Sequence, residues 1–365
     1  MFDPVIEDDD IQAVVKVLKS GWLAHGPEVR AFEKEFAEYI GVDYAAAVSN
    51  GTVALMLALK ALDIGPGDEV LVPDYTFIAS ATAVLMVGAK PVFVDVDIKT
   101  FNIDIDDLQD KITPRTKAIV AVHLFGHPAN MKKIIEVVQD KGIIVIEDAA
   151  QAHGAEIMGK KVGSFGDVAI FSFYATKNLT TGEGGMIVSN NKSLIEKVKL
   201  LRNHGQIARY IHEILGGNYR MTSFQAALGR IQLRKLDKLN EIRRKNAQYL
   251  SNSLNTIKGV EVPYEESWAK HVYHIYAVKI WEYDRDCVRE CMVKKGIEVA
   301  VHYPVPLHRQ PLFRKLGYNE CCKKAQLLAQ VELSLPIHPK LKSEDLDFIA
   351  EVFKECLDVC RKPES

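Results

Sequence analysis

Short continuous runs of aliphatic and β-branched residues recur through the first half of the chain, each followed by a segment with helical spacing. Glu69-Val70-Leu71-Val72-Pro73 is one such run and Pro91-Val92-Phe93-Val94-Asp95 the next. Lys117-Ala118-Ile119-Val120-Ala121-Val122, Ile143-Ile144-Val145-Ile146 and Val168-Ala169-Ile170-Phe171 follow. Between them, residues 78–88 and 130–141 carry helical patterns, the second through Met131, Ile134, Ile135 and Val138. Strands that are apolar on both faces and separated by helices fit a parallel sheet covered on both sides. The expected fold class is therefore α/β. Residues 222–255 read as one long helix with Thr222 as its N-cap. After it, residues 273–280 read as a strand, 285–295 as a helix, and Ser343 as the cap of a last helix. A chain of 365 residues exceeds the usual single core. The expected division is a large α/β domain over residues 1–245 and a small C-terminal α+β domain over 246–365.

Composition excludes several classes. Hydrophobic residues make up 48% and charged residues 26%, the balance of a folded globular chain. The net charge of -2 gives no field favouring nucleic acid or an anionic membrane. The longest weakly polar stretch, residues 77–89, is too short to span a bilayer, and the acidic start at Glu7-Asp8-Asp9-Asp10 is unlike a signal peptide. A cytoplasmic protein is the expectation.

In an open parallel sheet the ligand sits beyond the carboxyl ends of the strands, so the segments that follow the strands carry the chemistry. Ser49-Asn50-Gly51-Thr52 precedes the helical run from Ala54. Such a turn offers backbone N–H groups and a helix dipole to an anion. The plainer alternative is an ordinary turn capped by Thr52. Glu147-Asp148 closes an aliphatic run and puts at least one carboxylate at the ligand edge, for a protonated ring nitrogen or for proton transfer. Alternatively, Asp148 caps a helix beginning at Ala149. Lys177 lies between Phe173-Tyr174 and Thr181-Gly182-Glu183-Gly184-Gly185. Apolar flanks favour a neutral, nucleophilic amine, and the glycines permit close backbone packing.

Taken in order, these motifs resemble the DegT/DnrJ/EryC1/StrS family of nucleotide-sugar aminotransferases, in particular its perosamine synthase-like members. The resemblance runs from Ser20-Gly21-Trp22-Leu23 and Gly26-Pro27 through Gly65-Pro66-Gly67-Asp68-Glu69 and His123-Leu124-Phe125-Gly126-His127-Pro128. It continues through Glu147-Asp148-Ala149-Ala150-Gln151, Phe171-Ser172-Phe173-Tyr174-Ala175-Thr176-Lys177, Asn218-Tyr219-Arg220-Met221 and His302-Tyr303-Pro304. It implies a fold-type I, aspartate aminotransferase-like enzyme using pyridoxal 5′-phosphate. Lys177 then matches the lysine that bonds the cofactor and shuttles the proton. Asp148 matches the carboxylate beside the pyridine nitrogen, Gln151 the neighbour of the phenolic oxygen, and Phe77 the aromatic that stacks on the ring. Gly51, Thr52 and Ser172 match phosphate-binding positions. Asn218 matches a residue that reaches the phosphate from the other subunit, with Arg220 beside it for substrate, so a homodimer with shared sites is implied. Trp22, His25, Glu183, His302, Tyr303 and His308 are the further candidates for the substrate pocket.

The implied reaction is ping-pong: L-glutamate leaves its amino group and departs as 2-oxoglutarate, and a keto nucleotide-diphosphate sugar leaves as an amino sugar. A lysine at position 177, where the dehydratase branch has histidine, points to transamination. The residues around it are closer to enzymes that aminate C4 of 4-keto-6-deoxy sugars; amination at C3 is the alternative. A cofactor-binding regulatory protein is a second class of reading, although no added DNA-binding segment is present. A nicotinamide enzyme is disfavoured by the absence of Gly-x-Gly-x-x-Gly after the first strand.

The six cysteines, Cys287, Cys291, Cys321, Cys322, Cys356 and Cys360, lack Cys-x-x-Cys spacing. They are expected as reduced, partly buried thiols. No metal site is expected, because the one pair of histidines at i, i+4 spacing, His123 and His127, has no carboxylate near it in the sequence.

Overall fold

The computed structural model describes residues 1–362. Its centre is a seven-stranded sheet in the order Tyr44–Val48, Gly185–Ser189, Val168–Ser172, Ile144–Asp148, Thr116–Val122, Glu69–Pro73, Lys90–Val94. Every strand but Gly185–Ser189 runs in one direction. The expected mainly parallel α/β sheet is thus present, with one antiparallel strand inserted. That strand follows Val168–Ser172 after a loop over 173–184, which carries site residues in place of a crossover helix.

Two strands escape a reading by β-branched runs. Tyr44–Val48 is alanine-rich, and Gly185–Ser189 sits behind glycines. The helix predicted over 78–88 forms as Ala79–Met86, and that over 130–141 as Met131–Val138. The long helix is Ser223–Leu254, opened by a reciprocal capping pair between Thr222 and Gln225. The expected strand over 273–280 is shorter, Tyr276–Ile280. Ser343 is the first residue of the last helix, with Lys342 in the cap position.

The apolar interior is divided. One buried cluster draws only on residues 247–360 and holds the sheet Val260–Glu261, Tyr276–Ile280, Glu332–Leu335 against the helices Arg285–Lys294 and Ser343–Val359. The larger cluster lies on one face of the central sheet. It also takes in Leu307, Phe313, Ala325 and Leu328, so the segment around 307–329 is anchored on the large core, although it lies late in the chain. No helix among the described residues is long and apolar enough to cross a membrane.

The cysteines correct the sequence reading. Cys287 is bonded to Cys360 and Cys291 to Cys356, both with Cα–Cα separations of 5.7 Å. Each pair of positions is spaced i, i+4, so Cys287 and Cys291 form one row on their helix and Cys356 and Cys360 a facing row. Only Cys321 and Cys322 are free thiols. Disulfides persist in oxidising compartments and in intracellular proteins of hyperthermophiles. Closing a loop of 73 residues stabilises a fold by roughly 4 kcal/mol in the chain-entropy account, and the second bridge adds less because its loop is already closed. Denaturant unfolding with and without a strong reductant should show a loss of that order. Coincident curves, with thiol titration proving full reduction, would contradict it.

Candidate active site

A cavity of about 740 Å³ opens over the carboxyl ends of the parallel strands. Its wall includes Gly51, Thr52, Phe77, Asp148, Gln151, Ser172, Lys177, Glu183, His302 and Tyr303, brought together from widely separated parts of the chain.

Asn50 caps the helix Gly51–Ala61 by accepting from the Val53 backbone N–H, so the cap is Asn50 and not Thr52. The helix start is packed too tightly for any side chain at position 51. A Cβ there would lie 2.8 Å from Ser172 Cβ. At Gly185 a Cβ would lie 2.5 Å from the Asn50 carbonyl oxygen. The glycines after Lys177 therefore admit the phosphate-type turn itself. The result is a cradle of backbone N–H groups at a helix N-terminus with the Ser172 hydroxyl beside it, suited to a phosphate dianion.

Strand alternation separates Glu147 from Asp148. Glu147 turns away from the cavity and accepts from the backbone N–H groups of Gly163, Phe165 and Gly166 while pairing with His123 at 3.0 Å. It is a buried structural hub. Asp148 faces the cavity. Its Oδ2 accepts from Ser80 Oγ at 2.9 Å and its Oδ1 from the Ala150 N–H at 3.2 Å. No helix follows for it to cap. Burial raises the Asp148 carboxyl above its ordinary range, against the opposing pull of Ser80. A cation placed against it would be held strongly.

Lys177 lies in the same cavity. Burial destabilises its ammonium and lowers it to about 8, with the Asp148 charge working in the opposite direction. Three imidazoles nearby, His153, His274 and His302, are held neutral chiefly by burial, so the lysine meets no competing cation from them. Gln151 is fixed at both ends of its amide: Oε1 accepts from the Phe125 N–H at 2.8 Å and Nε2 donates to Tyr303 Oη at 3.1 Å. Tyr75 Oη clamps the segment beneath, donating to the His302 carbonyl and accepting from the Tyr303 N–H, both at 2.8 Å. Phe77 is 54% exposed, with its ring free to cover a flat ligand.

Five of the candidate residues lie outside this wall. Trp22 is 58% exposed and donates from its indole to the His25 carbonyl. Burial pushes His25 down to about 4. Asn218 and Arg220 sit on a segment bridged to Asn203 and Val48, and Arg220 donates to the Asn203 side chain. His308 is fully buried against Asp74 and does not reach the cavity.

Other wall residues went unread in the sequence. Ser80 orients Asp148, His274 donates or accepts at Asn178, and Phe2 stacks on the His274 ring at 5.7 Å. Ser80 lies only three residues beyond Phe77, a signal that was present. Nothing local marks His274 or Phe2.

The site fits pyridoxal 5′-phosphate. A phosphate cradle, an amine of depressed basicity and a buried carboxylate with no direct ion pair among the described residues converge on one cavity large enough for a ring and part of a substrate. Comparison with known proteins agrees. The sequence model of the DegT/DnrJ/EryC1/StrS aminotransferase family matches residues 4–354. The chain is 42% identical to the UDP-N-acetyl-3-dehydro-α-D-glucosamine 3-aminotransferase of Acidithiobacillus ferrooxidans, covering 96% of this chain and 95% of that one. It is 41% identical to the GDP-perosamine synthase of Caulobacter vibrioides, covering 97% of each. The solved pyridoxal phosphate form of the sugar aminotransferase Spr1654 from Streptococcus pneumoniae superposes with a TM-score of 0.94 at 30% identity, covering 98% of each chain.

Proposed function

The chain belongs to the DegT/DnrJ/EryC1/StrS aminotransferase family, and on that premise we propose that it moves the amino group of L-glutamate onto C4 of a 4-keto-6-deoxy nucleotide-diphosphate sugar. It is a pyridoxal phosphate-dependent aminotransferase. The observation that carries the reading is Lys177, an amine of lowered basicity in the cavity that also holds Asp148 and the Gly51 cradle.

When bound, the cofactor supplies an electron sink for the carbon that loses or gains a proton. The protein does the rest. Gly51, Thr52 and Ser172 hold the phosphate at the helix start. Asp148, kept in place by Ser80 and the Ala150 N–H, balances positive charge on the ring nitrogen. Gln151 and Phe77 fix the plane of the ring. Lys177 takes the proton from the amino-bearing carbon of glutamate and returns one to the sugar carbon, a task suited to a group whose basicity lies near neutrality. Glu183, His302 and Tyr303, which line the same cavity, meet the sugar.

Two copies completing each other's sites form part of the same reading. Asn218, Arg220 and Trp22 lie outside the cavity of their own chain, and nearby Ile207, Tyr210, Ile211 and Leu215 expose apolar surface. The division at residue 245 is supported by the separate apolar cluster of residues 247–360.

The C4 assignment rests on the residues around Lys177, from Tyr174 to Thr176 and in the Thr181–Gly185 turn. Amination at C3 is the second reading, favoured by the name of the A. ferrooxidans relative. The enzyme with glutamate should convert GDP-4-keto-6-deoxymannose to an amine detectable by mass spectrometry, and leave 3-keto UDP-sugars unchanged. Turnover of the 3-keto sugars alone would overturn the C4 reading and keep the aminotransferase.

A further inference from the structure

Outside the active site, one cluster of side chains has no role in the chemistry above. Asp74, His308, Cys321 and Cys322 each place one ligand atom within 4.8 Å of all the others. Asp74, His308 and Cys322 are buried, and Cys321 is partly so. We propose that these four residues form a site for a divalent zinc ion, joining the late segment at 321–322 to the loop that enters the active site.

The donor set selects the metal. Two sulfurs, an imidazole and a carboxylate make a borderline-soft, four-ligand set of the kind that closes around zinc. Zinc–ligand bonds of about 2.0–2.3 Å set ligand separations of about 3.3–3.8 Å in a tetrahedron, so the cluster needs only small side-chain rotations. The sulfurs now stand 2.7 Å apart and would separate by about 1 Å around an ion.

The backbone is arranged for this. Cys322 has φ 56° and ψ 61°, a left-handed conformation that a side-chain-bearing residue rarely adopts. It brings adjacent thiols together, where an extended backbone would send them to opposite faces. Both sides of the cluster are braced. Asp74 Oδ1 accepts from the His308 backbone N–H at 2.8 Å, a bond that metal binding leaves in place, while the 2.6 Å contact between the His308 ring and Asp74 Oδ2 would open around the ion. Glu320, the residue before Cys321, is held by Arg309 and Arg314.

Position gives the site its consequence. Asp74 directly follows the strand Glu69–Pro73 and precedes Tyr75, which clamps His302 and Tyr303. A bound ion would fix one end of the active-site loop without touching the cavity. The inference is independent of which sugar is the substrate.

The test uses the full-length, cofactor-loaded enzyme with Cys321 and Cys322 reduced. Elemental analysis after gel filtration should find one zinc per chain, and thiol titration should reach these two cysteines only after a chelator is added. Cobalt(II) exchanged into the site should give the visible bands of a tetrahedral thiolate complex. The Cys321→Ser/Cys322→Ser double variant should lose both the zinc and the cobalt bands. If that variant does not fold, the wild-type cobalt spectrum decides. The proposal is overturned if the reduced protein, its two thiols freely titratable, takes up no stoichiometric zinc from a buffered zinc solution. It is equally overturned if metal binding survives in the double variant, or if the wild-type cobalt complex lacks thiolate character.

Discussion

Replacing Lys177 with alanine should lower turnover by about 10⁴-fold or more while leaving the fold intact. The side chain would serve twice: as the nucleophile that bonds the cofactor and as the base and acid that moves the proton, each a large contribution on its own. Lys177→Arg should not rescue it, because a guanidinium stays charged and cannot act as a base. The wild-type amine also predicts a pH signature. Burial destabilises the ammonium and lowers it to about 8, so the fraction of neutral amine rises as pH climbs through that value. In the cofactor-free enzyme, the rate of covalent capture of pyridoxal phosphate should rise through a midpoint near pH 8 and level off above it. A midpoint near the ordinary lysine value of 10.5 would mean that the cavity does not tune this residue. Retention of more than a few per cent of activity by Lys177→Ala would remove it from the mechanism.

The second large effect is expected at Asp148. Asp148→Asn keeps the size of the side chain and can still accept a hydrogen bond from Ser80, but it removes the negative charge. Losing one buried electrostatic partner of developing charge lowers rates by about 10²–10³-fold. Cofactor affinity should fall far less, because the phosphate cradle at Gly51 and Ser172 is untouched. The split between kcat and cofactor binding separates this role from a structural one. A variant that binds no cofactor, or one that turns over at the wild-type rate, would each count against it. Ser80→Ala, which removes only the orienting hydroxyl at 2.9 Å, should fall between wild type and Asp148→Asn.

The strand-end rule makes Asp148 and Lys177 legible in the sequence, because each closely follows a run of apolar residues that reads as a buried strand. The same rule could not separate Glu147 from Asp148. Both close the strand, and only the alternation of side chains in the sheet sends one to the cavity and the other to three backbone N–H groups. Tyr44–Val48 is marked in the sequence only by the turn at residues 49–52 that follows it, because alanine carries no strand preference, and its place beside Gly185–Ser189 is set by long-range pairing. His274 and Phe2 reach the site from positions far apart in the chain, a proximity that no local pattern encodes. The cysteines were misread for a different reason. The i, i+4 spacing that pairs Cys287 and Cys291 with Cys360 and Cys356 was visible, but spacing on two helices says nothing until those helices are known to pack together. His308 stood in a proline-rich segment suggestive of an active-site loop, whereas its ring turns inward onto Asp74.

The central claim is that one cavity, with Lys177 as its reactive amine, holds the cofactor. Borohydride reduction of the cofactor-loaded enzyme followed by peptide mapping tests this most directly. The expected result is one reduced cofactor adduct per chain, on the peptide containing Lys177, with loss of the yellow colour. An adduct on another lysine, or none in an enzyme that still transaminates, would contradict the account.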